Sequence, residues 1–250
     1  MKTTRKLFPA IAMLLLAAVM MSTATYAWFS MNTTVTATGM QIEAKSDQTF
    51  LLISAKETTA QKIREEFADD GLTSRNAVLP AVTKVYPATV KNDKLPTKDS
   101  DLEFYYAVGT AYDDGTAKDG NYTKITDSNI ANYVVKYTFY ITVAEGALPA
   151  SDIVVKGITF TGDDAVAAVV TTEYAAKVFK ANSGEDDTIL SSGLHADDPE
   201  LAGKITDGDV LAVNVYVYYD GEDATVKSSN AGNLNNATIE ITFGVKDATP

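Results

Sequence analysis

Apolar and polar residues alternate with period two over three long segments, and that pattern organises the chain. Tyr133, Val135, Tyr137, Phe139, Ile141 and Val143 are apolar, with Lys136, Thr138 and Thr142 between them. Leu211, Val213, Val215, Val217 and Tyr219 repeat the alternation, as do Ile239, Ile241, Phe243 and Val245 with Glu240 and Thr242 facing outward. Successive side chains of a strand point to opposite faces, so each segment reads as a strand with one apolar face. Shorter strands are predicted over Thr49 to Ser54, Leu102 to Val108, Ile153 to Phe160 and Val166 to Thr171. Turn-forming clusters such as Asp113-Asp114-Gly115, Gly162-Asp163-Asp164 and Asp220-Gly221-Glu222-Asp223 separate them. Together these elements predict an all-β, antiparallel sandwich. One interruption is helical: Glu57 to Asp70 carries Ala60, Ile63 and Phe67 at helical spacing and Gly71 at the capping position, which predicts a short amphipathic helix over one open end of the sandwich.

The N-terminus follows two other patterns. Lys2, Arg5 and Lys6 precede an apolar run from Leu7 to Met21, interrupted by Pro9 and followed by Ser22-Thr23-Ala24-Thr25. This is the layout of a secretory signal over residues 1–27, with cleavage between Ala27 and Trp28 by a signal peptidase. Beyond it, Met31, Val35 and Ala37 are apolar at odd positions, whereas Met40, Ile42 and Ala44 are apolar at even ones. A one-residue slip turns a strand over, so Gly39 is predicted to mark a bulge or hinge between two strands. The second strand, Met40 to Ser46, belongs to the subunit's own sheet. The first, Trp28 to Thr38, is an arm with large apolar residues and no core of its own, and such a terminus needs a place to dock.

Charge and composition narrow the function. The formal net charge of −12 becomes −15 once the three cationic residues of the signal are removed. That acidity disfavours nucleic acid and anionic membranes as partners, since both are held by Lys/Arg clusters. No cysteine occurs in the 250 residues, so disulfides, thiol catalysis and lipid attachment through cysteine are excluded. After the signal no window reaches the roughly 20 apolar residues that span a bilayer, and no membrane contact is expected after cleavage. With no fixed-period repeat and no low-complexity linker, residues 39–250 are expected to form a single sandwich domain behind the arm, residues 28–38.

Thr25-Tyr26-Ala27-Trp28-Phe29-Ser30, followed by Thr36-Ala37-Thr38-Gly39-Met40-Gln41-Ile42-Glu43-Ala44, resembles the signal junction and first strand of the TasA/CalY (camelysin) group of Gram-positive secreted proteins. The resemblance is strong over residues 20–46. It implies a jelly-roll-like sandwich that polymerises into extracellular fibres of a biofilm matrix. It further implies that the N-terminal strand of one subunit completes the sheet of the next. The donor residues would be Trp28, Phe29, Met31, Val35 and Ala37, swinging about Gly39. The partner would be a further copy of the chain in a head-to-tail homopolymer, with room for a minor anchoring subunit. The competing expectation is a monomeric cell-surface adhesin or carbohydrate-binding sandwich whose arm folds back on its own sheet.

Camelysin-like proteins have been classed as metallopeptidases, so catalysis needs weighing. The single histidine, His195, is followed by Ala196-Asp197-Asp198, which leaves no H-E-x-x-H and no second imidazole for zinc. A serine triad would have to run through His195 in Ser191-Ser192-Gly193-Leu194-His195, where no G-x-S-x-G occurs. His195 is therefore expected to be an exposed loop residue, and no enzymatic activity or cofactor is expected. The acidic doublets at Asp69, Asp113, Asp163, Asp186 and Asp197 do not match a calcium loop and read as solvated turns. Tyr216, Tyr218 and Tyr219 suggest a sugar-stacking platform, although the first two read more simply as strand surface residues.

Overall fold

The computed structural model describes residues 34–38, 41–44, 51–70, 74–76, 86–107, 112–113, 116–117, 122–161, 165–180, 186–223 and 238–246. The signal segment, its cleavage site, and Trp28, Phe29, Met31 and Gly39 lie outside these residues. In chain order the described strands are β1 (Thr34–Thr38), β2 (Gln41–Ala44), β3 (Leu51–Ser54), β4 (Ser74–Asn76), β5 (Tyr105–Ala107), β6 (Tyr112–Asp113), β7 (Thr116–Ala117), β8 (Tyr122–Lys124) and β9 (Val134–Val143). They continue with β10 (Ala150–Ser151), β11 (Ile153–Thr161), β12 (Val166–Thr171), β13 (Ala176–Phe179), β14 (Lys204–Ile205), β15 (Leu211–Tyr219) and β16 (Thr238–Val245). Among the described residues one α-helix, α1 (Ala60–Asp70), lies between β3 and β4.

The chain adopts an all-β antiparallel sandwich. One sheet has the order β11-β16-β1-β2-β4 and the other β13-β12-β15-β9-β3. In the second sheet the register pairs Val213 with Phe139, Leu211 with Ile141, and Val215 with Val170. The odd positions of β9 and β15 thus share one face with the even positions of β12. That face meets Ile153, Val155, Ile158, Ile241 and Phe243 of the first sheet in one buried core. Phe139 and Phe243 meet across the sandwich with ring centroids 6.4 Å apart.

The opposite face of the second sheet is also buried around Tyr216 and Tyr218, contrary to the expectation for these two residues. They are only 7% and 1% exposed. Ala88, Val90, Phe104 and Ile125, from residues 86–107 and 122–132, cover them, and Val134, Ala167 and Val169 flank them on the same face of the sheet. Phe104 stands edge-on to Tyr218 at 5.3 Å and tilted to Tyr216 at 5.9 Å. Every residue of β12, Val166-Ala167-Ala168-Val169-Val170-Thr171, is buried. An unbroken apolar run of this length is the signature of a strand covered on both faces. Burial first, then the nearby Asp220 and Glu222 carboxylates, raise the Tyr218 phenol well above its ordinary range.

Two aspartates fasten this outer layer to the sheet. The Asp99 carboxylate accepts hydrogen bonds from Asn214 Nδ2 (3.0 Å), Tyr216 OH (3.0 Å) and the Thr171 hydroxyl, while its amide donates to Thr172 O (2.8 Å). Farther along β15, buried Asp220 pairs with Lys180 Nζ at 2.7 Å and accepts from Thr89 Oγ1 at 3.3 Å. Beside it, Ala88 N donates to Tyr219 O and Gly221 N donates to Ala88 O.

The helix lies against β3 and β9 and begins at Ala60 rather than Glu57. Ser54 Oγ accepts the amides of Lys56 (3.0 Å) and Glu57 (2.8 Å), which bends the chain into a turn before the helix can start. Ala60 and Ile63 are buried. Arg64 donates through Nε (3.0 Å) and Nη2 (2.9 Å) to Val143 O, the last carbonyl of β9, and pairs with Asp207 at 2.5 Å.

Candidate assembly site

β1 is the middle strand of its sheet. It pairs antiparallel with β16 on one side, aligning Val35 with Phe243 and Ala37 with Ile241. On the other side it pairs with β2, aligning Val35 with Ala44 and Ala37 with Ile42. The arm that the sequence presents as free is therefore held, over Thr34–Thr38, within its own chain. The physical reason is the cost of the alternative. Without β1 the sheet divides into β11-β16 and β2-β4, leaving two facing rows of unpaired backbone N–H and C=O groups beside the core residues Ile241 and Phe243.

The register also explains the change of apolar phase. Thr38 pairs with Gln41, so two residues separate the paired positions, and every odd position of β1 faces an even position of β2. Val35, Ala37, Ile42 and Ala44 consequently occupy matching register positions on one side of the hairpin. Two of the five predicted donor residues, Val35 and Ala37, are thus placed by the structure; the other three fall outside the described residues. Ile241 and Phe243, which align with them on β16, were read from the sequence as strand residues but not as the neighbours of β1. Their even spacing on the last strand was the available signal, and chain position alone does not reveal which strand they flank.

Among the described residues, the outer edges of both sheets offer less. On β11 the ladder to β16 shifts between Val155 and Gly157, and the 186–190 segment covers the start of the strand through Asp186 N to Val155 O (3.1 Å) and Leu190 N to Ile153 O (2.7 Å). β4 has three residues. β13 has four and carries Lys177, which is paired with Asp186 at 2.7 Å. β3 lies against α1. Bulges, short strands, edge lysines and covering helices are all devices that discourage edge-to-edge pairing.

His195 is 31% exposed at its side chain, and its Nε2 lies 2.7 Å from Asp209 Oδ2. The same carboxylate oxygen accepts from Thr206 N (2.8 Å) and Thr206 Oγ1 (2.5 Å). Burial pushes the Asp209 carboxyl upward, but the hydrogen bonds from Thr206 and His195 outweigh it and hold the group below the ordinary carboxylate range. Ser191 is occupied elsewhere: its hydroxyl donates to Gly203 O (2.6 Å) and accepts from Ile153 N (3.2 Å). The geometry is that of a loop clasp. The acidic doublets at Asp186 and Asp197 are used similarly, with Asp186 accepting from Thr188 N, Asp187 near Lys246, and Asp198 accepting from Glu200 N.

No family model, curated protein or solved structure matches the chain, so the β1 position and its neighbours stand as the site on their own geometry.

Proposed function

We propose that the chain is an exported, non-enzymatic structural subunit that polymerises head to tail, residues 28–38 of one copy taking the β1 position in the next. The observation that carries this reading is the place of β1. A five-residue strand near the N-terminus is the central member of its sheet, and it is joined to β2 through two residues only. Opening that connection leaves an acceptor groove between β16 and β2 and releases a donor of matching register. Exchange in one direction makes a heterologous contact, which propagates into a filament rather than closing. The basic start and apolar run of residues 1–27 support export, and the resemblance of residues 20–46 to the TasA/CalY group supports an extracellular biofilm-matrix fibre. A signal peptidase is then a partner during export, and no cofactor is required.

The test is negative-stain electron microscopy of protein starting at Trp28, at rising concentration, beside a variant lacking residues 28–38. Filaments from the first and none from the second are expected. Adding a synthetic 28–38 peptide to the truncated variant should raise its unfolding temperature by filling the groove. Dispersed particles from the longer protein at high concentration, or a truncated variant indifferent to the peptide, would overturn the proposal.

A further inference from the structure

The outer layer carries a second surface feature, unrelated to β1. Tyr86, Tyr106 and Tyr133 come from three separate segments and converge. The Tyr106 and Tyr133 rings are stacked, with centroids 5.3 Å apart and planes 19° from parallel, and Tyr86 lies against Tyr133 at 5.7 Å and 49°. Tyr86 is 60% exposed. The other two are partly buried at the rim of the outer core, which fixes them from below.

The cluster is held in advance of any ligand. Tyr86 N donates to Asn132 O at 2.8 Å, and Tyr133 N donates to Ile130 O at 2.9 Å, closing a 3-10 turn over Ile130–Asn132. The turn itself is set by Asn129 Oδ1, which accepts from Thr126 N (2.9 Å) and from Thr126 Oγ1 (3.1 Å). An exposed aromatic ring on a rigid backbone loses little conformational entropy when something stacks on it.

We infer that Tyr86, supported by Tyr133 and Tyr106, is a stacking site for the sugar rings of a neutral polysaccharide. The C–H face of a pyranose is apolar and meets an aromatic ring flat, while its hydroxyls need polar partners at the edge. Exposed Asn132, next to Tyr133, supplies an amide with both donor and acceptor character. Charge decides the class of glycan. The segment 125–133 contains Asp127 and no Lys or Arg, and the whole chain carries −12, so an acidic polysaccharide would be repelled. The site differs from the Tyr216/Tyr218 platform suggested by sequence, which lies beneath Phe104.

The test is affinity electrophoresis of the mature chain, starting at Trp28, in gels containing hydroxyethylcellulose or laminarin, with a soluble proline-rich peptide as a competing probe in fluorescence titration. Retardation by at least one neutral glucan is expected. Tyr86→Ala should weaken it about tenfold, and Tyr86→Trp should preserve it, both with an unchanged unfolding temperature. No retardation by either glucan, equal retardation of Tyr86→Ala, or quenching by the peptide without glucan binding would overturn the inference. Loading the gels below the concentration at which filaments appear keeps these outcomes separate from polymerisation.

Discussion

Truncating Phe104 tests whether residues 86–107 and 122–132 are an integral layer of the fold or a loose excursion. The ring is buried between Tyr216 and Tyr218 on the outer face of the second sheet, with Ala88, Val90 and Ile125 around it. Phe104→Ala removes most of that side chain from a packed site and leaves a cavity that the fixed strands of the sheet cannot collapse around. The expected cost is about 3–5 kcal/mol, the range for phenylalanine truncation in a core. In a fold of this size that corresponds to a fall in unfolding temperature of roughly 6–20 °C, at about 2–4 °C per kcal/mol. The assay is urea unfolding followed by circular dichroism, in which the midpoint should drop while the slope is unchanged. The exposed Tyr86, changed to alanine in parallel, should alter stability by less than about 0.5 kcal/mol. A Phe104→Ala loss below about 1 kcal/mol would refute the packing of the outer layer on Tyr216 and Tyr218.

Three further outcomes follow from specific contacts. Arg64→Met keeps much of the side-chain length but leaves Val143 O without its two charged donors, and a loss of about 1–3 kcal/mol in chemical denaturation is expected. Gly193→Ala would place a Cβ 2.1 Å from Tyr174 Cδ1, a distance no atom pair tolerates, so the ring must be displaced. A thermal scan should show destabilisation of about 1–3 kcal/mol, as for other overpacked sites, and an unchanged midpoint would contradict the contact. Asp209 has a depressed folded-state pKa, so its stabilisation is fully present above the unfolded value of about 3.9 and is lost as pH falls toward the depressed one. Asp209→Asn should therefore lower stability near neutral pH and reduce the slope of the acid limb below about pH 4; identical acid limbs would count against the Thr206 and His195 clasp.

The sequence by itself determined the sandwich and the identity of its main strands. β12 and β15 were legible to the residue, and β9, β11 and β16 to within one position at either end, because a sheet with one buried face imposes period two on the residues that build it. The helix was legible from Ala60, Ile63 and Phe67, but its start depended on Ser54 Oγ capturing two amides, a local competition that periodicity does not register. The change of apolar phase around Gly39 was visible too. Tertiary structure decided that it belongs to a hairpin, since only the pairing of Thr38 with Gln41 shows that odd positions face even ones.

Three features were settled by tertiary structure alone. Tyr216 and Tyr218 alternate with buried valines and so look outward-facing, yet a layer of three-residue strands and 3-10 turns covers them. Such short pieces carry no period, and alternation records only that a strand has two faces, not what lies over the second. His195 read as an exposed loop residue because its partner, Asp209, is set by a fold of the loop rather than by spacing. The place of β1 between β16 and β2 was likewise invisible, because strand order joins residues more than 200 positions apart, and composition along a chain holds no record of which distant strand will satisfy a given row of backbone hydrogen bonds.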